Sequence, residues 1–344
     1  MARLDFHSPA NSKAIGYGRA YLEIRNSLIS LGADLTEPYT GDGIQIYMGT
    51  PLDDLHKYYE RRSDKFLIYT MWESSKPIPE IIRNINLFDG IITPSKWCEK
   101  IYRDLGFTKP IYIVPLGINP DDWQYIERRR KEDVFTVLWQ GTFINAKGDD
   151  LPFEAMPDRK GGNLVMQAFR ELKDSGRLPK CAQLFLKINP RYTINHLQGM
   201  LQTADDVLLI ADLMSEDKLK SMFAFADASV YPSYAEGFGL IPLEHLACGL
   251  PLIIANNTGM QEFINPEYMK VVECEPLRGV MGFDTGAAFK PDKEQIKEHI
   301  IWIYEHPDEA NDMGKRASDW VRTNWTYDRT AKLLMGAVDE FSRR

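Results

Sequence analysis

The sequence predicts an α/β protein built from two doubly wound halves, and three observations carry that expectation. Its 344 residues are long for one domain and natural for two. Short apolar runs of strand length alternate with helical patterns along the chain, the rhythm of parallel sheets with right-handed crossovers. One charged stretch without apolar partners, residues 127–133, interrupts that rhythm and reads as a solvated linker.

In the first half, strand-like runs fall at 44–47, 65–71, 90–93 and 111–115, with helical patterns clearest at 18–31 and 95–105. The second half repeats the pattern more strongly. Strands are expected at 135–140, 183–188, 207–211, 228–231, 252–255 and 270–272, with helices such as 163–172 and 216–225 between them. Helical segments follow from about Asp292, the last running from Trp320 to Phe341 with a break near Trp325.

Composition narrows the function classes. Hydrophobic residues make up 44% of the chain, enough to bury cores. A net charge of −8 argues against a surface built for nucleic acid or anionic lipid. The four cysteines are widely spaced and form neither a zinc pattern nor a disulfide framework, so a reducing cytoplasm is expected. The first residues carry no apolar signal region and no run approaches membrane-spanning length, so a soluble protein is expected.

The most informative block is Glu236-Gly237-Phe238-Gly239-Leu240-Ile241-Pro242-Leu243-Glu244, which reads as a loop feeding a helix between two apolar strands. A helix start exposes unpaired N–H groups and the positive end of the macrodipole, so it suits a phosphate. Gly237 and Gly239 would let the backbone approach such a ligand. Eight residues at about 100° each bring Glu244 to within roughly 80° of the face where Glu236 starts. Carboxylates accept hydrogen bonds from sugar hydroxyls, so a phosphate cradle flanked by two acids fits a nucleotide-sugar. Either acid alone would more simply be a solvated side chain; the full string is the specific signal.

That string resembles the E-x7-E signature of the GT4-type retaining glycosyltransferases (glycosyl transferases group 1), which have the GT-B fold. The resemblance is strongest over 134–264, moderate over 90–117 and weak before that. It implies two Rossmann-like domains facing a central cleft, with the C-terminal helix returning to the N-terminal domain. The expected bounds are 1–130 plus about 323–344 for an acceptor-binding domain, and 131–322 for a donor-binding domain. By the same resemblance, Arg159 and Lys160, before the helix opening near Leu164, match the family's basic pair. Many relatives carry an arginine where this chain has Thr142, so Arg159 is expected to take over that role and Lys160 is the firmer assignment. Lys187 is odd within an apolar strand, and is read either as a strand-end lysine reaching water or as a second phosphate contact.

The expected donor set is therefore Thr142, Arg159, Lys160, Lys187, Glu236, Gly237, Phe238, Gly239, Leu240 and Glu244, with Glu236 and Lys160 catalytic. Gly16, Tyr17, Gly18 and Glu73 are expected on the acceptor side. His245 reads as a packing or surface histidine, and Asp149, Asp150, Glu154 and Asp158 as a solvated loop rather than a metal site.

The resemblance implies transfer of a sugar from a nucleoside-diphosphate donor, UDP- or GDP-linked, to an acceptor hydroxyl. It implies retention at the anomeric carbon, a front-face path, and no permanently bound cofactor or metal. Acceptors left open are a glycan, a lipid-linked saccharide, a small molecule or, less favoured by the acidic balance, modified DNA. Competing readings are an epimerase or phosphorylase on the same fold, or a non-catalytic sugar- or nucleotide-binding protein. A nicotinamide oxidoreductase is disfavoured, because no strand is followed by a G-x-G-x-x-G turn with an acid about 20 residues on.

Overall fold

A computed structural model describes residues 3–10, 16–35, 43–52, 60–73, 75–128, 134–142, 158–189, 206–278 and 287–344. The chain divides into two compact units, one of residues 1–119, 236–240 and 324–344, the other of 120–235 and 241–323.

In the first unit the described elements are β1 (Leu4–His7), α1 (Gly16–Ser30), β2 (Ile44–Met48), β3 (Phe66–Tyr69), α2 (Pro79–Asn84), β4 (Gly90–Thr93), α3 (Lys96–Asp104) and β5 (Ile111–Ile113). The strands pair in parallel in the order β1-β2-β3-β4-β5. Strands β2, β3 and β4 are buried along their whole length, which is why they read as unbroken apolar runs rather than alternating ones. Ser95 starts α3: its hydroxyl accepts the Cys98 N–H at 3.2 Å, satisfying one open donor.

The second unit carries β6 (Thr136–Gly141), α4 (Gly162–Asp174), β7 (Gln183–Ile188), β8 (Val207–Ala211), α5 (Glu216–Phe225), β9 (Ala228–Tyr231), α6 (Leu240–Ala247), β10 (Leu252–Ala255), β11 (Lys270–Val272), β12 (Cys274–Arg278), β13 (Ala287–Pro291), α7 (Lys293–Glu305) and α8 (Pro307–Asn324). Its six-stranded parallel sheet has the order β11-β10-β9-β6-β7-β8. That is the doubly wound order, and its direction reverses between β6 and β9. The strands β12 and β13 form a separate antiparallel pair. Helix α7 packs on α4 through Ile296, Ile300 and Ile303, each fully buried and contributing about 1.5–3 kcal/mol.

The last helix, α9 (Tyr327–Ser342), belongs to the first unit and packs on α1. The break before it is made by Thr326, whose side chain accepts the Arg329 N–H, while the Trp325 carbonyl accepts from Ile118 N–H at 2.8 Å. The Thr330 hydroxyl adds a 2.8 Å bond to the Pro115 carbonyl.

The charged stretch after residue 126 is corrected at Arg128, which is not a solvated linker residue. Its guanidinium is half-buried and donates to the carbonyls of Phe223, Ala226 and Gly249 at 2.6–3.0 Å. Those are the open carbonyls at the ends of α5 and α6, where a cation opposes the helix dipole. Residues 129–133 lie outside the described residues.

A Cβ at Gly117 would lie 2.4 Å from the Thr326 carbonyl carbon. Gly117→Ala is therefore expected to lower stability by roughly 1–3 kcal/mol. Thermal unfolding checks this, and an unchanged melting temperature would contradict the close seating of the α9 start.

Candidate functional site

In doubly wound sheets, ligands bind beyond the carboxyl ends of the strands where the order reverses. Here that point lies between β6 and β9. Strand β6 ends at Gly141 and continues to half-buried Thr142. A Cβ at Gly141 would meet the Trp139 ring at 2.4 Å and the Lys160 Cβ at 3.0 Å, so the strand end and the turn before α4 touch directly.

That turn, Asp158 to Gly161, is fastened to the loop after β9. Gly161 has φ +75° and leaves no room for a side chain, since a Cβ would lie 2.3 Å from the Pro232 carbonyl oxygen. The Arg159 carbonyl accepts from Tyr234 N–H at 2.8 Å and from the Ser233 hydroxyl at 3.0 Å. Its guanidinium donates to the Ala235 carbonyl at 2.5 Å. The loop ends on Ala235, the residue before Glu236.

Lys160 is pinned at both ends. Its carbonyl accepts from the Trp139 indole N–H at 3.0 Å. Its ammonium lies 3.1 Å from the Tyr231 hydroxyl, at the end of β9, and 5.7 Å from that ring's centroid. Lys160 and Tyr231 thus meet across the switch point. Tyr231 went unnoticed in the sequence because it reads as one more apolar strand residue.

Asp158 is corrected: it is buried rather than part of a solvated loop. One carboxylate oxygen accepts the Asn163 N–H at 2.6 Å, and the backbone amides of Lys160, Gly161 and Gly162 also favour its charge. Burial outweighs them and pushes its carboxyl up to about 7. Asp149, Asp150 and Glu154 lie outside the described residues. Among the described residues, no group of three or more His, Cys, Asp or Glu could hold a metal ion.

Glu244 is buried on α6. The next residue, His245, is a packing histidine: its ring nitrogens lie 2.7 Å from the Ser229 hydroxyl and 3.2 Å from the Gln140 side-chain oxygen Oε1, against the Phe223 ring. Burial, with Arg128 nearby, drops its pKa to about 3. Beyond β10, Asn257 donates to the Ser233 carbonyl at 2.9 Å, tying that loop to the one after β9. Thr258 follows with φ +46°, a strain of roughly 1–3 kcal/mol for a β-branched residue. Neither residue stood out in the sequence.

Lys187 sits on β7 beside Gln140 and Ile210. It is buried, with its ammonium 3.1 Å from the Ile188 carbonyl, and burial lowers its pKa. It does not reach water in the manner of a strand-end lysine.

Residues 236–240 group with the first unit, where Glu236, Gly237 and Phe238 are buried. The Gly237 carbonyl accepts from the Ser95 hydroxyl at 2.8 Å and the Cys98 thiol at 3.4 Å. A Cβ at Gly237 would lie 3.0 Å from the Met71 side chain, so this glycine serves close packing within the protein. Gly239, at φ +112°, needs the backbone freedom only glycine has. Phe238 faces Trp325 with ring centroids 6.1 Å apart.

The residues expected on the acceptor side lie in the first unit. Gly16, exposed, opens α1, and Gly18 is buried. The Tyr17 hydroxyl accepts from Met71 N–H at 3.0 Å and lies 3.2 Å from the Met71 carbonyl. Burial holds its phenol above the ordinary range. Glu73 is half-buried, and its carbonyl accepts from the Trp97 indole at 2.9 Å.

Comparison with known proteins is consistent with this geometry. The family model "Glycosyl transferases group 1" matches residues 153–320. A putative glycosyltransferase of Sulfolobus islandicus filamentous virus is 23% identical over 253 residues, covering 71% of this chain and 65% of its own length. An uncharacterized glycosyltransferase of Methanocaldococcus jannaschii is 25% identical over 46% of this chain and 39% of its own. The chain thus spans less than two thirds of these curated relatives. A glycosyltransferase structure from Rickettsia africae superposes with TM-score 0.66 at 13% identity, covering 99% of this chain and 98% of that one. Sucrose-phosphate synthase from Thermosynechococcus elongatus gives 0.63 at 18%, covering 86% and 73%. These likenesses support the GT-B-fold glycosyltransferase superfamily. The two parallel-sheet Rossmann-like units agree with that fold. No described helix is long and apolar enough to cross a membrane.

Two of the shifted groups, Asp158 and His245, act oppositely on stability. Asp158 is raised, so its contribution is full below its unfolded value of 3.8 and is lost as pH rises through about 7. His245 is lowered, so its contribution is full above 6.5 and is lost as pH falls towards about 3. Relative to Asp158→Asn, the parent should therefore gain stability on acidification from pH 7 to 4, by up to about 1.4 kcal/mol per pH unit. Denaturant unfolding across that range checks it; parallel curves for the two proteins would contradict it.

Proposed function

We propose that this chain is a GT4-type retaining glycosyltransferase that moves a sugar from a UDP- or GDP-sugar to an acceptor hydroxyl. The observation that carries the reading is the E-x7-E string, with both acids buried, lying in the same chain span as a lysine held at the sheet's switch point. The group 1 family match over that span supports it.

In this proposal the α6 start binds the diphosphate through the amides of Phe238, Gly239 and Leu240. Glu244 binds the ribose and Glu236 holds donor sugar hydroxyls. As the bond from anomeric carbon to phosphate oxygen breaks, charge grows on the departing diphosphate. Lys160 stabilises that charge more in the transition state than before it, which is why a cation there speeds the reaction. The acceptor oxygen bonds to the same face of the anomeric carbon, and its proton passes to the departing phosphate oxygen. Charge neutralisation by Lys160 and the helix start supports a metal-independent path. Gly16, Tyr17, Gly18 and Glu73 are assigned to the acceptor side, and the acceptor is a hydroxyl-bearing glycan, lipid-linked saccharide or small molecule. The proposal places the protein in the cytoplasm, a compartment that supplies nucleotide-sugar donors.

Arg159 is assigned a different role from the one its position in the sequence suggested. With its guanidinium on the Ala235 carbonyl, it holds the loop that leads into Glu236.

A panel of UDP-, GDP- and ADP-sugars, scored by donor hydrolysis, tests the function directly: turnover of at least one is expected, and turnover of none would end the reading. Glu244→Ala should weaken nucleoside-diphosphate binding in calorimetry, while Glu236→Ala should mainly reduce turnover. Parent-like binding in the Glu244 variant would remove it from the ribose. Lys160→Ala is expected to cost about 10²–10³-fold in rate, and parent-like rates would take Lys160 out of the mechanism.

A further inference from the structure

Lys160 needs a fixed backbone if its ammonium is to sit at the switch point, and a turn containing two glycines does not supply that by itself. The turn before α4 is instead organised around one carboxylate. Asp158 is nine-tenths buried, at 8% exposure, and lies at the head of a 13-residue helix. One of its oxygens accepts the Asn163 N–H at 2.6 Å, and the amides of Lys160, Gly161 and Gly162 converge on the same group. Its other oxygen, also buried, has no hydrogen-bond partner. The Asp158 main-chain carbonyl accepts from Gly161 N–H at 3.1 Å, closing the turn from the other side.

We infer that Asp158 is a positioning residue for Lys160, its carboxylate gathering the amides at the head of α4 so that the turn holds the Lys160 ammonium against Tyr231. The inference rests on the role proposed above for Lys160 and adds how that role is maintained. The path is short: the Asp158 main-chain carbonyl takes the Gly161 N–H, its carboxylate takes the Asn163 N–H, Trp139 fixes the Lys160 carbonyl, and the side chain then reaches Tyr231.

The Asn163 N–H at the α4 start is taken by the protein's own anion, so that amide is not open to a phosphate. What α4 offers an anionic ligand is the Lys160 ammonium. The unpaired oxygen suggests the informative variant: Asp158→Asn keeps an acceptor for Asn163 and replaces the orphan oxygen with an amide nitrogen.

The test compares the parent with Asp158→Ala, Asp158→Asn, Lys160→Ala and the double variant Asp158→Ala/Lys160→Ala. Hydrogen exchange at residues 160–163 should be faster in Asp158→Ala by about tenfold or more, and should return towards the parent in Asp158→Asn. The NMR signal of 13C-dimethylated Lys160, assigned with Lys160→Arg, should lose its Tyr231 ring shift in the alanine variant and keep it in the asparagine variant. With a hydrolysed nucleotide-sugar, Asp158→Ala should lose about 10–100-fold in kcat with a smaller change in KM. The double variant should then be no slower than Lys160→Ala.

Unchanged exchange and an unchanged Lys160 signal in Asp158→Ala would overturn the inference. So would rate losses that add in the double variant, because Asp158 would then act independently of Lys160. Should Asp158→Ala fail to fold, Asp158→Glu, which displaces the carboxylate by one methylene, takes its place in every comparison. A parent that hydrolyses no donor would sink the transferase reading alone, since exchange and the Lys160 signal decide the positioning without turnover.

Discussion

The reversal of strand order between β6 and β9 is the constraint on which the second unit depends. A parallel sheet wound in both directions from one point leaves a crevice there, because successive connections depart to opposite faces. Everything that meets at that point comes from loops, and loops must be held. Here they are held by backbone contacts: Gly161 pressed on Pro232, the Arg159 carbonyl taking donors from Ser233 and Tyr234, and the Asn257 amide reaching the Ser233 carbonyl. Three loops are thereby fixed to one another before any ligand is considered. The cation at the centre inherits its position from that framework.

The first unit solves a different problem. Its described strands lie in chain order, with no reversal among them. Its buried polar groups gather instead where β3 and β4 end and α3 begins. Tyr17 closes on the Met71 backbone, Trp97 on Glu73, and Ser95 and Cys98 on the Gly237 carbonyl. Burial raises the Cys98 thiol to about 11, so it stays protonated and serves as a donor rather than a nucleophile. The segment with Glu236 is therefore anchored by side chains far from it in sequence.

Most of this architecture was legible in the residues. Fully buried parallel strands read as apolar runs, and 90–93, 183–188, 207–211, 228–231, 252–255 and 270–272 stand where their composition put them. β1 escaped notice because Asp5 and His7 break its short apolar pattern, and the β12–β13 pair because Pro276 and charged residues mask any alternation. At the site, residue types were easier to read than their partners. Arg159 and Lys160 look alike as a basic pair, yet one bonds a backbone carbonyl and the other a phenol. Asp158 looked like part of an acidic loop because burial is a tertiary property. Its signal was there: an Asp shortly before a helix start is the residue that gathers open amides. Lys187 differs again, because its depth within β7 is set by the strands on both sides.

We propose that a nucleotide-sugar places its diphosphate at the start of α6 with Glu244 on the ribose. Crystals soaked with a hydrolysed UDP- or GDP-sugar test it most directly. The account predicts density for the diphosphate within hydrogen-bond distance of the amides of Phe238 to Leu240, with the ribose hydroxyls on the Glu244 carboxylate. Well-ordered nucleotide bound elsewhere on the chain would contradict it.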